Sequence, residues 1–400
     1  MSEGMTAAGI IGGVGDALLF VAGVLVIFVV LWDTFETIIV PRSRLRALRL
    51  TNSYYKVSWR LWSRAVQRLP SPALRDIYLG AYGPLSLLAL LALWALLLIL
   101  GFALVHAGLG TTLRTPAPGG HNVFADYLYL SGSTFYTLGF GDVTPLNTAG
   151  RVVAVTEAGI GFSFLAVVIG YLPVLYQSFS RREVGISLLY ARAGVVGSHS
   201  DIEPSALVIL HRYGRPERAA ALEGLLLEWE RWAAELLESY LSYPVLVQYR
   251  SHHARHSWLA ALAVVLDTSA LVSLDVEGAA AGQQSVREQA RRTHEMAAQV
   301  AREVAGIVAP RLAEDAVDRL SAHQWRQLRS GLVRAGLRPD DAPRAEADLV
   351  VLRRAYEPYL SALAQALLMP LPPWAPHTAF SGENGELFLN GSQAVSSAGK

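Results

Sequence analysis

From Ser86 to Val105 the chain carries no charged residue at all. A run of that length suits a helix across a bilayer, where every backbone polar group must be satisfied within the segment. Two further runs are long enough to span. Ala17 to Val40 covers roughly 36 Å as a helix, against a hydrocarbon core of about 30 Å. Val152 to about Gln177 carries one charge, Glu157. The N-terminus has no basic start and no small-residue cleavage site, so the first run reads as a true span and not a signal peptide. With 52% hydrophobic and 17% charged residues in 400, the chain reads as an all-α membrane protein with a further domain.

Arginine placement sets the expected orientation. Between Pro41 and Arg75 lie nine basic residues and no acidic one, whereas Ala107 to Gly150 holds a single arginine, Arg114. The first segment is expected inside and the second outside. This puts the N-terminus outside and the C-terminal half in the cytoplasm of a cell bounded by this plasma membrane. Of the basic residues only Lys56 and Lys400 are lysine, a bias that suggests a GC-rich bacterial gene. The net charge of +1 points to no nucleic-acid partner, and the absence of cysteine excludes disulfides and thiolate metal sites.

Within the basic segment Tyr55, Trp59, Trp62, Val66 and Leu69 share one helical face. Lys56, Arg60, Arg64 and Arg68 recur every fourth residue on an adjacent stripe. Like charges at that spacing repel on an isolated helix, and anionic lipid headgroups would relieve them. The expectation is an interfacial helix on the inner leaflet. The alternative is a helix packed on the cytoplasmic domain.

Between the second and third runs, Phe124 to Tyr136 is apolar and aromatic but too short to span, which suits a re-entrant helix. Its C-terminal end carries a partial negative charge that favours a cation beyond it. There the chain reads Thr137-Leu138-Gly139-Phe140-Gly141-Asp142. Glycines spaced by one residue allow dihedrals that turn successive carbonyls toward one axis, and Thr137 adds a hydroxyl oxygen. Four chains around that axis would stack rings of oxygens that replace a cation's hydration shell.

"TLGFGD" resembles the selectivity filter of potassium channels, and the order span, re-entrant helix, filter, span resembles the pore of two-transmembrane bacterial members. "GRVVAVTEAGIGFSF" is similar to the start of their inner, pore-lining helix. The resemblance covers roughly residues 81 to 180. It implies a homotetrameric pore that conducts K+, with the ion held by the carbonyls of Thr137, Leu138, Gly139 and Phe140 and the Thr137 hydroxyl. Gly141 and Asp142 would shape the outer mouth. The gating hinge would fall on Gly161, with Gly159 as a rival. Two positions depart from the family pattern: Tyr136 replaces a second threonine, and Ser133 stands where some members carry a glutamate bonded to the filter aspartate. Against this stands the reading of "TLGFGD" as an ordinary glycine turn, which the flanking spans disfavour.

Asp33 and Glu36 sit on one face near the cytoplasmic end of the first span, where pairing with Arg42 and Arg44 is expected. Glu157 pairs with Arg151 or supports the re-entrant helix from behind; the sequence does not choose. Pro173, after Gly170, predicts a kink that either shapes a gate or is merely tolerated. No span repeats arginine at every third position, so no voltage sensor is expected.

The remaining segment reads as helices over 206–241, 246–274, 283–308, 310–335 and 345–368, separated by proline- and glycine-containing breaks. Neither a glycine-rich nucleotide loop nor a β-roll is visible. "WLAALAVVLDTSALVSL" from Trp258 is apolar, but short and interrupted by Asp267, and reads as a core helix more readily than as a fourth span. His252 and His256 share a helical face but lack a third ligand, which leaves them a weak metal candidate. The domains expected are 1–40, an N-terminal span; 41–80, the basic interfacial helix; 81–180, the pore; 181–374, a helical cytoplasmic domain; and 375–400, a disordered tail. No enzyme constellation and no cofactor is expected. The alternatives carried forward are a weakly selective cation channel and a receptor that keeps the pore fold but signals through its helical domain.

Overall fold

Three long helices organise the first half of the computed structural model, which describes residues 3–38, 50–115, 123–193, 204–251, 256–274, 281–309, 319–335, 337 and 342–375. They are α1 (Glu3–Ile38), α3 (Pro72–Gly108) and α5 (Thr148–Arg192), with the shorter α2 (Leu50–Gln67) and α4 (Val123–Phe135) between them. Each long helix contains a stretch long and apolar enough to cross a membrane. The chain divides into two compact units, Met1–Gln177 and Ser178–Lys400.

In the first unit α3 is central. Just over half of its most apolar window is buried, against about a tenth for α1 and α5. α1 lies antiparallel to α3 at backbone contact distance. A Cβ on Gly23 would stand 2.6 Å from the Gly101 carbonyl oxygen, and one on Gly108 would stand 2.3 Å from the Phe20 nitrogen. Small residues allow this approach where lipid offers no hydrophobic gain for association. Asp33 is buried at the junction of three helices. Its carboxylate accepts from the Thr51 amide at 3.2 Å, the Thr51 hydroxyl at 2.6 Å and Trp94 Nε1 at 2.9 Å. These donors satisfy the acid. The expected partners Arg42 and Arg44 lie outside the described residues.

The aromatic stripe of α2 is occupied by protein. Tyr54 donates to the Ser86 carbonyl at 2.8 Å, Ser58 bonds to Tyr82 at 2.8 Å, and Trp62 donates to the Tyr78 carbonyl at 3.0 Å, so α2 and α3 run antiparallel. Trp59 packs edge-on against Tyr82 at 4.8 Å. Trp59 and Trp62 of the expected stripe therefore meet α3. Lys56, Arg60, Arg64 and Arg68 are exposed on the other side, next to exposed Val57 and Leu61. Ser71-Pro72 starts α3 with proline at a first-turn position, and the helix then runs unbroken through residue 80.

A two-residue antiparallel ladder, β1 (Leu113–Arg114) with β2 (Thr144–Pro145), closes the segment between α3 and α5 around α4. Among the described residues it is the only sheet. α5 continues past the expected end at Gln177 to Arg192, and it passes through Pro173 as helix.

The second unit is helical: α6 (Ala206–Tyr213), α7 (Ala219–Ser242), α8 (Trp258–Val272), α9 (Ala281–Val308), α10 (Ala322–Arg334), α11 (Ala342–Arg354) and α12 (Glu357–Leu367). Three expected helices are broken. Gly214 and Pro216 divide 206–241, and Pro216 opens a short 3-10 turn. The stretch from Leu246 is a 3-10 turn that ends at Gln248, with α8 beginning ten residues later. Pro358 starts a new helix within 345–368. Pro216 and Pro358 lack the amide that would continue the helix before them.

Every residue of α8 is buried within this unit, against α6, α7, α9, α11 and α12. Asp267 explains its own presence there. Arg319 donates to its two oxygens at 2.9 and 3.0 Å and to Glu357 at 2.5 and 2.9 Å, and the Tyr356 hydroxyl donates to Asp267 at 2.8 Å. Burial raises the Asp267 carboxyl to about 6. Arg182 is also buried here and donates to the Leu246 carbonyl at 3.0 Å.

Candidate functional site

The segment after α4 folds back on the helix that precedes it. The amides of Tyr136, Thr137 and Leu138 donate to the carbonyls of Gly132, Thr134 and Ser133 at 3.2, 3.0 and 2.8 Å, and the Gly139 amide also points to Ser133 at 3.5 Å. The end of α4 is thereby capped by the loop itself, which meets the usual need of a helix C-terminus for donors.

Backbone handedness then alternates. Thr137, Gly139 and Gly141 have φ of 54°, 58° and 76°, and the residues between them have no positive φ. Alternation between left- and right-handed conformations turns successive amides to one side and carbonyls to the other. Two of these amides, those of Leu138 and Gly139, are directed at Ser133. Glycine adopts positive φ freely, whereas Thr137, β-branched, is a true outlier. Leu138 and Phe140 are 56% and 66% exposed among the described residues of a single chain.

Asp142 closes the strand. Its Oδ2 accepts from the Tyr129 hydroxyl at 2.8 Å and its Oδ1 from the Val143 amide at 3.0 Å. Ser133 uses its hydroxyl on the Leu130 carbonyl. The aspartate's partner on α4 is therefore Tyr129, one helical turn before Ser133. Sequence reasoning looked at position 133 alone, and the i, i+4 relation would have found it.

Gly161 sits where α5 crosses the end of α4. A Cβ there would lie 2.1 Å from the Phe135 carbonyl oxygen, whereas a Cβ on Gly159 would meet nothing within 4 Å. The helix is continuous through both, and Gly161 has a packing reason to be glycine. Glu157, one turn earlier, is fully buried and faces His106 of α3, with 3.8 Å between Oε2 and Nε2. Arg151 instead donates to the Pro145 carbonyl. Of the two histidines, His252 lies outside the described residues and the His256 ring packs on Tyr190, 3.9 Å between centroids. Among the described residues no group of three or more His, Cys, Asp or Glu could hold a metal ion.

A family profile described as "Ion channel" matches residues 92–177, from the second half of α3 through the loop to the end of the first unit. Protein LctB of Bacillus caldotenax is 38% identical over 93 residues, 21% of this chain and 69% of that protein. Protein LctB of Geobacillus stearothermophilus is 37% identical over 95 residues, 20% and 70% of the two chains. The uncharacterized membrane protein YdjJ of Bacillus subtilis (strain 168) is 23% identical over 192 residues, 47% of this chain and 52% of its own length. No solved structure matches the chain.

Proposed function

This chain belongs to the ion-channel family, and we propose that four copies of it form a potassium-selective pore. The observation that carries the reading is the alternation of φ at Thr137, Gly139 and Gly141 with the amides of Leu138 and Gly139 turned toward Ser133. Four such strands around one axis present stacked rings of carbonyl oxygens from Thr137, Leu138, Gly139 and Phe140, with the Thr137 hydroxyl below them. These oxygens replace the water shell of a dehydrated cation. Gly141 supplies the last left-handed turn, and Asp142, held by Tyr129, fixes the mouth. The N-terminus lies outside and the second unit in the cytoplasm. That unit gates or assembles the pore, to which the sequence of α5 joins it. Lys56, Arg60, Arg64 and Arg68 then face the anionic inner leaflet with Val57 and Leu61 beside them.

The test is ion flux in liposomes that hold the full chain with potassium inside. Flux driven by the potassium gradient, blocked by barium and lost in Gly139→Ala, is expected. An alanine at φ near 58° would be strained in each of four strands. Equal flux driven by sodium would replace potassium selectivity with weak cation selectivity. Normal selectivity in Gly139→Ala would refute the filter assignment. Silent full-chain tetramers would favour a receptor that signals through the second unit.

A further inference from the structure

Behind the loop, three helices bring buried polar side chains to one place. His106 comes from α3, Ser131 from the middle of α4 and Glu157 from α5, and all three are fully buried. Ser131 lies beside the Glu157 carboxyl. His106 Nδ1 is bonded to the Thr111 hydroxyl at 3.2 Å, and its ring stacks parallel to Tyr127 at 6.4 Å. The Tyr127 hydroxyl donates to the Thr111 carbonyl at 2.7 Å. The remaining polar atoms are left over: His106 Nε2, the Ser131 hydroxyl and both Glu157 oxygens have no hydrogen-bond partner among the described residues. Four unsatisfied buried atoms in one cluster are unusual, since most buried polar atoms have partners.

Charge limits which protonation states this place can hold. A carboxylate facing a neutral imidazole is a lone buried anion. An imidazolium facing a carboxylic acid is a lone buried cation. Either one carries a desolvation penalty of several kcal/mol. The two neutral arrangements, imidazole with carboxylic acid and imidazolium with carboxylate, each hold one proton between the two groups and titrate as a unit. Other charged or titratable groups stand around the cluster. Asp16 of α1 and Asp126 of α4 are near enough to act on the Tyr127 hydroxyl. Arg114 belongs to β1, and Arg151 of α5 is engaged by Pro145.

We propose that His106 and Glu157 are positioning residues that hold α4 by sharing one proton, and that gaining a second proton or losing the shared one releases α4 and the strand it orients. The route is short. Phe135, one turn after Ser131, carries the carbonyl against which Gly161 packs. Ser133, between them, accepts the Leu138 and Gly139 amides. A shift of α4 therefore reaches the groups that set the direction of the carbonyls. This inference rests on the pore reading, and its test has a readout that does not.

The full-chain protein in liposomes is assayed for potassium flux from about pH 5 to about pH 9, a range that brackets an interacting histidine–carboxyl pair. In parallel, hydrogen-exchange protection of residues 131–139 is followed after correction for intrinsic exchange. Flux and protection are expected to fall at both ends, each limb approaching about tenfold per pH unit as one-proton linkage requires. His106→Gln should lose the acid limb and keep the alkaline one; Glu157→Gln should do the reverse. A protein that conducts with the same profile in both variants overturns the proposal, whereas a merely structural role would lower stability without moving either limb. Should a variant fail to assemble, the wild-type exchange profile decides, and flat protection overturns the proposal. Both exchange limbs in a protein that never conducts would refute the pore and leave this clamp standing.

Discussion

Alanine at position 161 and alanine at position 159 should have opposite effects, although both replace a glycine inside α5. In a helix interior each replacement gains up to about 1 kcal/mol per subunit from backbone entropy. At Gly159 nothing lies within 4 Å of the new carbon, so that gain is kept. At Gly161 the new carbon would be 2.1 Å from the Phe135 oxygen, 2.9 Å from its carbon and 3.0 Å from its Cα. Cβ atoms essentially never approach closer than 3.0 Å, so α4 and α5 must part by about 0.9 Å. The obstacle is backbone and has no rotamer to change. Overpacking of this kind costs about 1–3 kcal/mol, with the upper end expected here, which leaves a net loss of about 1–2 kcal/mol per subunit. The displaced residue is two before Thr137, so the strand should move with it. The assay is the melting midpoint of the purified full chain, with the ratio of potassium to sodium flux. Gly161→Ala should melt lower and lose selectivity, while Gly159→Ala melts at or above wild type. A Gly161→Ala protein as stable and selective as wild type would refute the contact. Impaired gating in a stable Gly159→Ala would move the hinge to 159.

Asp33→Asn should cost about 1–3 kcal/mol, because the amide turns a donor toward three existing donors; a lower melting midpoint measures it. Arg319→Met should cost about 3–5 kcal/mol by leaving Asp267 and Glu357 buried without their cation. Asp267 already has a carboxyl raised to about 6 from 3.8, so the folded state takes up the proton before the unfolded state does. Arg319 holds that carboxyl down, so without it the carboxyl should titrate above its wild-type value, and the deficit of Arg319→Met relative to wild type should shrink as pH falls toward about 6. His294 is buried edge-on to Tyr356, and burial lowers its pKa from 6.5. The unfolded chain protonates first, so stability should fall below about pH 6.5 by up to about 1.4 kcal/mol per pH unit. Melting curves at several pH values should lose that slope in His294→Gln. If the strand binds potassium only when folded, the melting midpoint should rise with potassium concentration, with about 2.7 kcal/mol gained at a hundred times the dissociation constant.

Periodicity and punctuation made much of this fold readable. Val123–Phe135 is offset by one residue from the expected re-entrant helix, because its apolar content and the glycines beyond it are local signals. The start of α3 was missed by more than ten residues, since Leu74 to Tyr82 mixes charge, glycine and tyrosine and helix formation there follows from Pro72 and packing by α2. The stripe on α2 was legible as a face, but periodicity does not say what covers a face; Tyr78, Tyr82 and Ser86 do. Pairings over long separations were out of reach. Asp33 meets Trp94, and Glu157 meets His106, through helix packing that no spacing rule encodes.

Thr137 links the fold to the proposed assembly. A β-branched residue at φ 54° carries about 1–3 kcal/mol of strain, which persists only where the surroundings over-determine it. In one chain the restraints are few: its amide bonds to the Thr134 carbonyl, and the next two amides share Ser133. The following side chains, Leu138 and Phe140, are exposed. Irregular backbone of this kind is not tolerated against hydrocarbon. On the proposed tetramer both needs are met together. There, neighbouring copies would cover the two side chains, cations would occupy the carbonyls, and contacts of the assembled, ion-bound pore would hold the strain at Thr137.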